Sequence, residues 1–314
     1  MDLKNGKLLQ RSLVRVVLTI ALFVMTSCNL ASSPPLPERS PNLPSPTPST
    51  LPPASLVNQP PQVNSTRLFE YIEALNFERF ESSDRDRARR YLVQTLTDFG
   101  WKPQLQVFEG GVNVVAQRPG MAADADAILV SAHYDTVNGS PGADDNGSAI
   151  AATLEVARLL GSRATQRPLW LAFFDREETG LLGSLNFTSR PENLVNLAGV
   201  VNLEMMGYAC YTAGCQKYPE GLPVKLLSDR GDFLGVIGDQ EHLPLLNAFQ
   251  AAITTQPTQA KLPDVITVPI PLKGLLTPDV LRSDHAPFWA RNIGAVMVGD
   301  TANFRNPHYT NSSR

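Results

Sequence analysis

The sequence predicts an α/β fold: a single domain with a mostly parallel, mixed central sheet flanked by helices. Three short and nearly continuous apolar runs support this prediction: AILVSAH (residues 127–133), LWLAFFD (169–175) and LAGVVNLEM (197–205). Such runs are typical of strands that are buried on both faces. A segment with helical periodicity, residues 146–160, follows the first run. Alternation of strands with helices indicates parallel pairing through crossover connections.

Two helices and a hairpin are predicted ahead of these strands. Apolar residues recur at helical spacing in residues 65–80 and 82–100, and the second segment ends at Gly100, a common helix stop. Residues 102–120 alternate between apolar and polar side chains around a Gly-Gly pair, which indicates a hairpin. The chain shows no internal repeat.

The first 28 residues have the three-part layout of a secretory signal. Four basic side chains precede VVLTIALFVMT, an uncharged run that is too short to span a bilayer. Cys28 follows small residues, as at a bacterial lipoprotein processing site, where the cysteine is lipidated and becomes the new N-terminus. We therefore expect an exported protein of the cell envelope, lipid-anchored to a membrane and facing the periplasm or the exterior. A cleaved, soluble secretory protein is the alternative.

Residues 29–64 are expected to form a spacer. Eleven of the 26 prolines of the chain fall between residues 32 and 61, and such a composition favours extended polyproline II over a packed core. The folded domain is therefore expected at residues 65–314. The formal charge of the chain is −3, with basic and acidic residues spread along it, so nothing indicates nucleic acid as a partner.

Polar side chains of metal-binding type follow all three apolar runs. His133 and Asp135 follow the first run, Asp175 to Glu178 the second, and Glu204 lies at the end of the third. Because open α/β sheets bind ligands beyond the carboxyl ends of their strands, we expect these side chains to meet. Imidazole and carboxylate groups are the ligands of hydrolytic zinc sites.

Spacing within these segments suggests individual roles. In an extended strand Asp135 points the same way as His133 and can accept its other ring N–H, which fixes the tautomer of the imidazole. GADDNG, residues 142–147, supplies two adjacent carboxylates in a Gly-flanked turn, and a carboxylate can bridge two metal ions. In the pair Glu177 and Glu178, one side chain can bind metal while its neighbour serves as a general base.

Six segments follow one another in the order SAHYDTV, GADDNGSA, FFDREETGLLGS, VVNLEMMGY, SDHAPFW and NPHY. Together, these ordered segments resemble the M28 family of zinc aminopeptidases, which shares its fold with glutaminyl cyclases. The resemblance runs from about Ser65 to the C-terminus. It implies an exopeptidase that binds two zinc ions per chain, or one, and that removes the first residue from peptides with a free N-terminus.

The resemblance also implies a role for each candidate residue. The metal ligands are His133 and Glu204 on one zinc ion, Glu178 on the second, and Asp145 as the bridge between both. Glu177 is the general base, and Asp135 is a second catalytic residue. Many family members have Asp where this chain has Glu204. Asp284 and His285 are expected to contact substrate or to support the ligands from behind.

The C-terminal segment departs from the family pattern. The family usually ends with N-P-x-Y-H-T-x-x-D, whose His is the fifth ligand, but here the sequence NPHYTNSSR places Thr310 at that position. His308, two residues earlier, is expected to take over as a metal ligand if the loop shifts. A crippled second metal site and a truncated or frameshifted C-terminus are the alternatives.

Cys210 and Cys215 lie five residues apart in the loop that follows Glu204. In an oxidising compartment they are expected to form a local disulfide at a wall of the substrate cleft. Metal binding by these two thiols is not expected.

Two alternative functions stay open. A glutaminyl cyclase uses a related site with one zinc ion, and Thr310 leaves room for that interpretation. A metal-impaired binding or scaffold protein of the envelope is the second alternative. The M20 carboxypeptidases also use H-x-D and a Glu pair, but about 110 residues after Glu204 leave too little chain for their inserted dimerisation domain.

Overall fold

The computed structural model describes residues 3–26, 62–122, 124–222, 228–254 and 262–309. Cys28, nearly all of the proline-rich spacer and Thr310 lie outside these ranges. The predictions made for them, including lipidation at Cys28, therefore stay predictions.

An eight-stranded mixed sheet forms the centre of the domain. In chain order the strands are β1 (Gln104–Phe108), β2 (Gly111–Arg118), β3 (Ala127–His133), β4 (Leu169–Phe174), β5 (Leu197–Glu204), β6 (Phe233–Asp239), β7 (Asp264–Ile270) and β8 (Ala295–Gly299). Their order in the sheet is β1-β2-β4-β3-β5-β8-β6-β7. The central strands β4, β3, β5 and β8 are parallel, whereas β1 and β2 form an antiparallel hairpin at one edge. The predicted α/β class is confirmed.

Helices cover both faces of the sheet. They are α1 (Leu3–Thr26), α2 (Ser65–Ala74), α3 (Ser82–Asp98), α4 (Gly147–Leu160), α5 (Leu182–Thr188), α6 (Leu243–Thr254) and α7 (Ala286–Ala290). One apolar core joins one face of the sheet to α1, α2, α3, α4 and α6. A smaller core joins the other face to α5 and α7 through Phe187, Phe288 and Trp289. The two predicted helices are present as α2 and α3, but α2 ends at Ala74 rather than at residue 80. The N-cap of α3 is Glu81, and not Ser82 or Ser83 as the sequence suggests. The hairpin turn next to Gly110 is also present.

Burial on both faces explains the continuous apolar character of β3. All seven of its residues are buried. Val130 belongs to the larger core and its neighbour Leu129 to the smaller one, because successive side chains of a strand point to opposite faces. The polar residues at the end of this strand therefore stand out as a feature of the sheet edge.

The first helix packs against the folded body. Leu13, Val17 and Ile20 are fully buried in the larger core, and Arg15 donates a 2.6 Å hydrogen bond to the carbonyl of Pro263. Among the helices in the described part of the chain, none meets the length and hydropathy that a bilayer crossing requires. The domain boundaries that the sequence predicts, including a separate segment 1–28, stay a prediction.

Candidate metal centre

The carboxyl ends of β3 and β5 bring two candidate ligands together. His133 is the last residue of β3 and Glu204 the last residue of β5, and these two strands are parallel neighbours. Nε2 of His133 lies 3.4 Å from Oε1 of Glu204. Sheet topology thus places this pair at the edge where open α/β sheets bind their ligands.

Two further carboxylates surround the His133 imidazole. Asp145 Oδ1 lies 3.3 Å and Glu177 Oε2 lies 3.9 Å from His133 Nε2. Ligand atoms of His133, Glu177 and Glu204 all lie within 4.8 Å of one another. A nitrogen and several carboxylate oxygens at this spacing suit a divalent cation such as zinc. We call these four residues, His133, Asp145, Glu177 and Glu204, the metal cradle.

The charges of the metal cradle also fit a cation. Burial raises the pKa of Glu177 well above its ordinary value; His133 opposes this rise, and neighbouring carboxylates such as Glu204 add to it. Burial by itself would lower the pKa of His133, but Glu177 and Glu204 raise it well above the ordinary histidine value. A divalent cation would stabilise these crowded carboxylates in their ionised form.

Asp135 has more partners than the sequence spacing suggests. Its Oδ1 lies 3.4 Å from Nδ1 of His133, the ring contact expected from the H-x-D spacing. Its two oxygens also accept the backbone N–H groups of Glu177 at 3.0 Å and Glu178 at 3.1 Å. One buried carboxylate therefore contacts the imidazole and holds the turn that carries the glutamate pair. Nothing in the sequence reveals these backbone contacts, because they join residues more than 40 positions apart.

Asn146 holds Asp145 beside the end of β5. Its side-chain amide donates to the carbonyl of Leu203 at 3.1 Å and accepts from the backbone N–H of Met205 at 3.0 Å. Both partners flank Glu204. The turn that leads to Asp145 requires glycine at position 142, where φ is +62° and a Cβ would overlap the side chain of Thr136.

A chain of hydrogen bonds fixes Glu204. Ser283 donates to its Oε2 at 2.6 Å, Asn202 donates to the Ser283 hydroxyl at 2.9 Å, and Ser131 donates to the Asn202 amide oxygen at 2.8 Å. The Ser283 hydroxyl therefore fixes where the Glu204 carboxylate sits. The segment SDHAPFW contains Ser283, but the sequence indicates only Asp284 and His285 within it and gives no signal for the serine.

Asp284 and His285 are both fully buried. Burial raises the pKa of Asp284 to about 7; the charge of His133 opposes this rise, and nearby carboxylates add to it. The His285 ring contacts the carbonyl of Val280 at 2.7 Å and packs edge-on against Trp289. Burial lowers the pKa of His285 to about 4, so its ring is neutral at pH 7 and donates that bond. Neither residue lines the cavity described below, and the roles predicted for them, substrate contact or support of the ligands, stay predictions.

A cavity of about 450 Å³ opens beside the metal cradle. Asp145, Glu177, Glu178 and Glu204 contribute to its wall. Most of its other lining is apolar and comes from β6, β7 and β8 together with nearby loops; it includes Phe233, Ile237, Ile266, Val268 and Met297. Such a combination of convergent polar groups with an apolar lining is typical of a small-molecule or side-chain binding pocket.

The loop after Glu204 carries the disulfide Cys210–Cys215. Cys210 also pairs with Gly231 in an isolated β-bridge just ahead of β6. Lys217, Tyr218 and Pro219 of the same loop line the cavity. The two cysteines therefore restrain a loop whose continuation forms part of the cavity wall.

Comparison with known sequences assigns the family. The sequence profile of peptidase family M28 matches residues 113–313, which include every member of the metal cradle. The chain belongs to peptidase family M28. Membership agrees with the resemblance that the ordered segments predicted.

M28 relatives include proteins from several bacteria. The uncharacterized protein YfbL of Escherichia coli is 32% identical over 200 residues, which cover 60% of this chain and 59% of YfbL. The probable lipoprotein aminopeptidase LpqL of Mycobacterium tuberculosis is 37% identical over 123 residues, 36% of this chain and 24% of LpqL. The chain thus spans less than two thirds of the length of either relative.

The fold also matches that of a solved aminopeptidase structure. The LapA aminopeptidase of Legionella pneumophila superposes with a TM-score of 0.57 at 20% sequence identity, over 80% of this chain and 63% of LapA. At this identity the likeness concerns the fold alone. It agrees with the sheet and helix order described above.

Within this M28 chain, His308 is not brought to the metal cradle. The side chain is exposed and does not line the cavity, whereas its neighbour Tyr309 does. Thr310 lies outside the described residues. The role of His308 as a metal ligand therefore stays a prediction, and so does the number of metal ions.

Proposed function

We propose that the chain is a zinc-dependent aminopeptidase that removes the N-terminal residue from peptides. The observation that carries this proposal is the metal cradle itself, in which one imidazole and three carboxylates meet next to an apolar cavity. Membership of family M28 and the aminopeptidase names of relatives support the same function.

Each member of the site has a distinct proposed role. His133, Asp145 and Glu204 would hold one zinc ion, and Asp145 with Glu178 would hold a second. Zinc, when bound, supplies a Lewis acid for the scissile carbonyl and acidifies water. Glu177 takes the proton of the attacking water on its carboxylate and returns it to the nitrogen of the leaving amine. Asp135 keeps Glu177 in place by accepting its backbone N–H.

The proposed substrate is a peptide with a free, apolar N-terminal residue. The carboxylates at the mouth of the cavity suit a protonated α-amino group, and the apolar lining suits the first side chain. We also propose that the protein is exported and carries a lipid anchor at Cys28. The signal-like N-terminus supports this location, and a probable lipoprotein among the relatives is consistent with it.

Metal removal tests the proposed function. Full-length protein should release the first residue from unblocked peptides, as measured by mass spectrometry, and should leave acetylated peptides intact. Dialysis against 1,10-phenanthroline should abolish release, and added zinc should restore it, because the metal cradle is the proposed source of activation. Full activity in protein whose zinc content has been measured as nil would reject the proposal. Cyclisation of Gln-initiated peptides without release of an amino acid would favour the glutaminyl cyclase alternative.

Gly235→Val tests the binding of the first side chain. Gly235 lines the cavity, and a Cβ there would make ordinary contacts of 3.5 Å with Thr301 and 3.7 Å with the Gly299 carbonyl. Valine should therefore fit the strand while filling part of the cavity. We expect the ratio of kcat/KM for N-terminal Leu to kcat/KM for N-terminal Ala to fall about 10-fold or more. One methylene group in an apolar pocket changes kcat/KM by this factor. Equal losses for both substrates, at unchanged zinc content, would show that the cavity does not bind this side chain.

A further inference from the structure

Arg79 is a fully buried arginine between α2 and α3. Its guanidinium group donates to five backbone carbonyls: those of Tyr134 at 2.7 Å, Phe77 at 2.9 Å, Pro141 at 2.9 Å, Gly142 at 3.0 Å and Leu75. Only the planar, five-donor fork of arginine can serve so many acceptors at once. Arg79 does not line the cavity, so its function must act through other residues.

Three of these carbonyls belong to the two segments that carry metal-cradle residues. Tyr134 stands between His133 and Asp135 in the chain, and its carbonyl accepts from Nε of Arg79. Pro141 and Gly142 lie just ahead of Asp145 in the Gly-flanked turn. One rigid side chain therefore sets the distance between the segment that follows β3 and the turn that leads to Asp145.

The backbone around Arg79 adds to this connection. The N–H of Arg79 donates to the hydroxyl of Thr136 at 2.9 Å, and the N–H of Thr136 donates to the carbonyl of Arg79 at 3.4 Å. Glu78 accepts the N–H of Gly139 at 2.9 Å. The segment between α2 and α3 is thus bonded along the whole loop that precedes Asp145.

Arg79 also places a positive charge behind the acidic site. Burial lowers its pKa to about 10, and Asp135, Asp145 and Glu178 oppose that effect. The group is therefore charged at neutral pH. A charge alone would repel a metal cation, whereas a fixed geometry would favour its binding, so the two possible effects of Arg79 have opposite signs.

We propose that Arg79 is a positioning residue of the metal centre, which holds His133 and Asp145 at the separation that zinc requires. The inference rests on the proposed function only in taking these two side chains as metal ligands. It predicts that the effect of Arg79 on ligand geometry strengthens zinc binding more than its positive charge weakens it. Residues that orient metal ligands typically contribute about 10- to 100-fold to metal affinity.

Arg79→Lys in the full-length chain tests this inference. Lysine keeps the charge but has only three donors on a flexible stem, so zinc affinity, measured by competition with a chromophoric chelator, should fall about 10- to 100-fold. The visible spectrum of the cobalt-substituted protein should change as well, because it reports ligand geometry. Arg79→Gln should also bind zinc more weakly than wild type. Tighter binding in Arg79→Gln would show that Arg79 acts only through its charge and would overturn the proposal.

Arg167→Lys is the matched control. Arg167 is 7% exposed and donates to the Asp126 carbonyl at 3.0 Å. It lies just before the first residue of β4, at the sheet edge opposite the metal cradle. This variant should lose thermal stability without any change in zinc affinity or cobalt spectrum. Wild-type affinity and spectrum in Arg79→Lys would overturn the proposal. Failure of the wild-type chain to bind zinc would instead reject the proposed function.

Thr136→Val keeps the test decisive if Arg79→Lys does not fold. It removes the hydroxyl that accepts the Arg79 N–H and leaves the guanidinium group in place. We expect a smaller loss of zinc affinity in the same direction, of several-fold. An unchanged zinc affinity in folded Thr136→Val would count against Arg79 as a positioning residue.

Discussion

Glu177→Gln is expected to keep zinc binding intact and to lower kcat by about 100- to 10,000-fold, the usual contribution of a general base. Glutamine has the same size as glutamate, and the backbone of residue 177 would stay bonded to Asp135. The amide cannot accept a proton from water, so the loss should appear in kcat. Steady-state release of an N-terminal residue measures kcat, and elemental mass spectrometry measures the zinc content per chain.

Glu178→Gln is the matched comparison for this prediction. The two side chains are adjacent, and Asp135 accepts the backbone N–H of both. Because Glu178 is the proposed ligand, its variant should lose zinc, most clearly any second ion. In the structure Glu177 lies close enough to His133 and Glu204 to bind a metal ion itself. The test therefore decides which glutamate of the pair is the ligand and which is the general base. Zinc loss in Glu177→Gln with full retention in Glu178→Gln would show that the two roles are reversed.

The fold and the meeting of the strand-end side chains could be predicted because both depend on local pattern. Burial of β3 on both faces makes it continuously apolar, and a polar residue that follows such a run can only stand at the sheet edge. Parallel pairing with β5 then places Glu204 beside His133. Pattern and a single topological rule are sufficient for this part of the site.

The residues behind the ligands could not be predicted in the same way. Arg79, Ser283 and the backbone contacts of Asp135 act on groups that are distant in sequence. Arg79 lies in a segment that the sequence predicts as part of a helix (65–80), whereas α2 ends at Ala74. Its five acceptors are backbone carbonyls that have no signature in the sequence. Such contacts depend on how the loops pack after the sheet has formed.

The N-terminal segment shows why an apolar run is ambiguous. A signal sequence needs an uncharged apolar run after basic residues, and a helix that packs on a core can carry the same pattern because it needs only an apolar stripe. In the structure Leu13, Val17 and Ile20 share one buried side of α1, a spacing that also fits a helix packed on a core. The sequence pattern favours export, and the packing shows that the same residues can cover the surface of α4 and α6.

Asp145→Ala is expected to abolish stoichiometric zinc binding and, with it, activity. Asp145 is 3% exposed, and its Oδ1 lies 3.3 Å from Nε2 of His133. As the proposed bridge it would contribute to every metal position in the site, so its removal should weaken zinc binding by more than the roughly 10- to 100-fold of a residue that only orients a ligand. Zinc per chain after gel filtration, and affinity by chelator competition, measure the effect.

Asp144→Asn separates the two adjacent aspartates. Asp144 Oδ1 accepts the N–H of Gly207 at 2.7 Å and the hydroxyl of Ser148 at 3.1 Å, and asparagine preserves that acceptor. Burial raises the pKa of Asp144 to about 6, although hydrogen bonds from Gly207 and Ser148 oppose the rise, so its charge is costly in this place and its loss should be tolerated. We expect Asp144→Asn to keep zinc affinity within a few-fold of wild type. Full zinc content in Asp145→Ala, or zinc loss confined to Asp144→Asn, would mean that the bridging ligand is wrongly assigned, since only one of the two carboxylates can face His133.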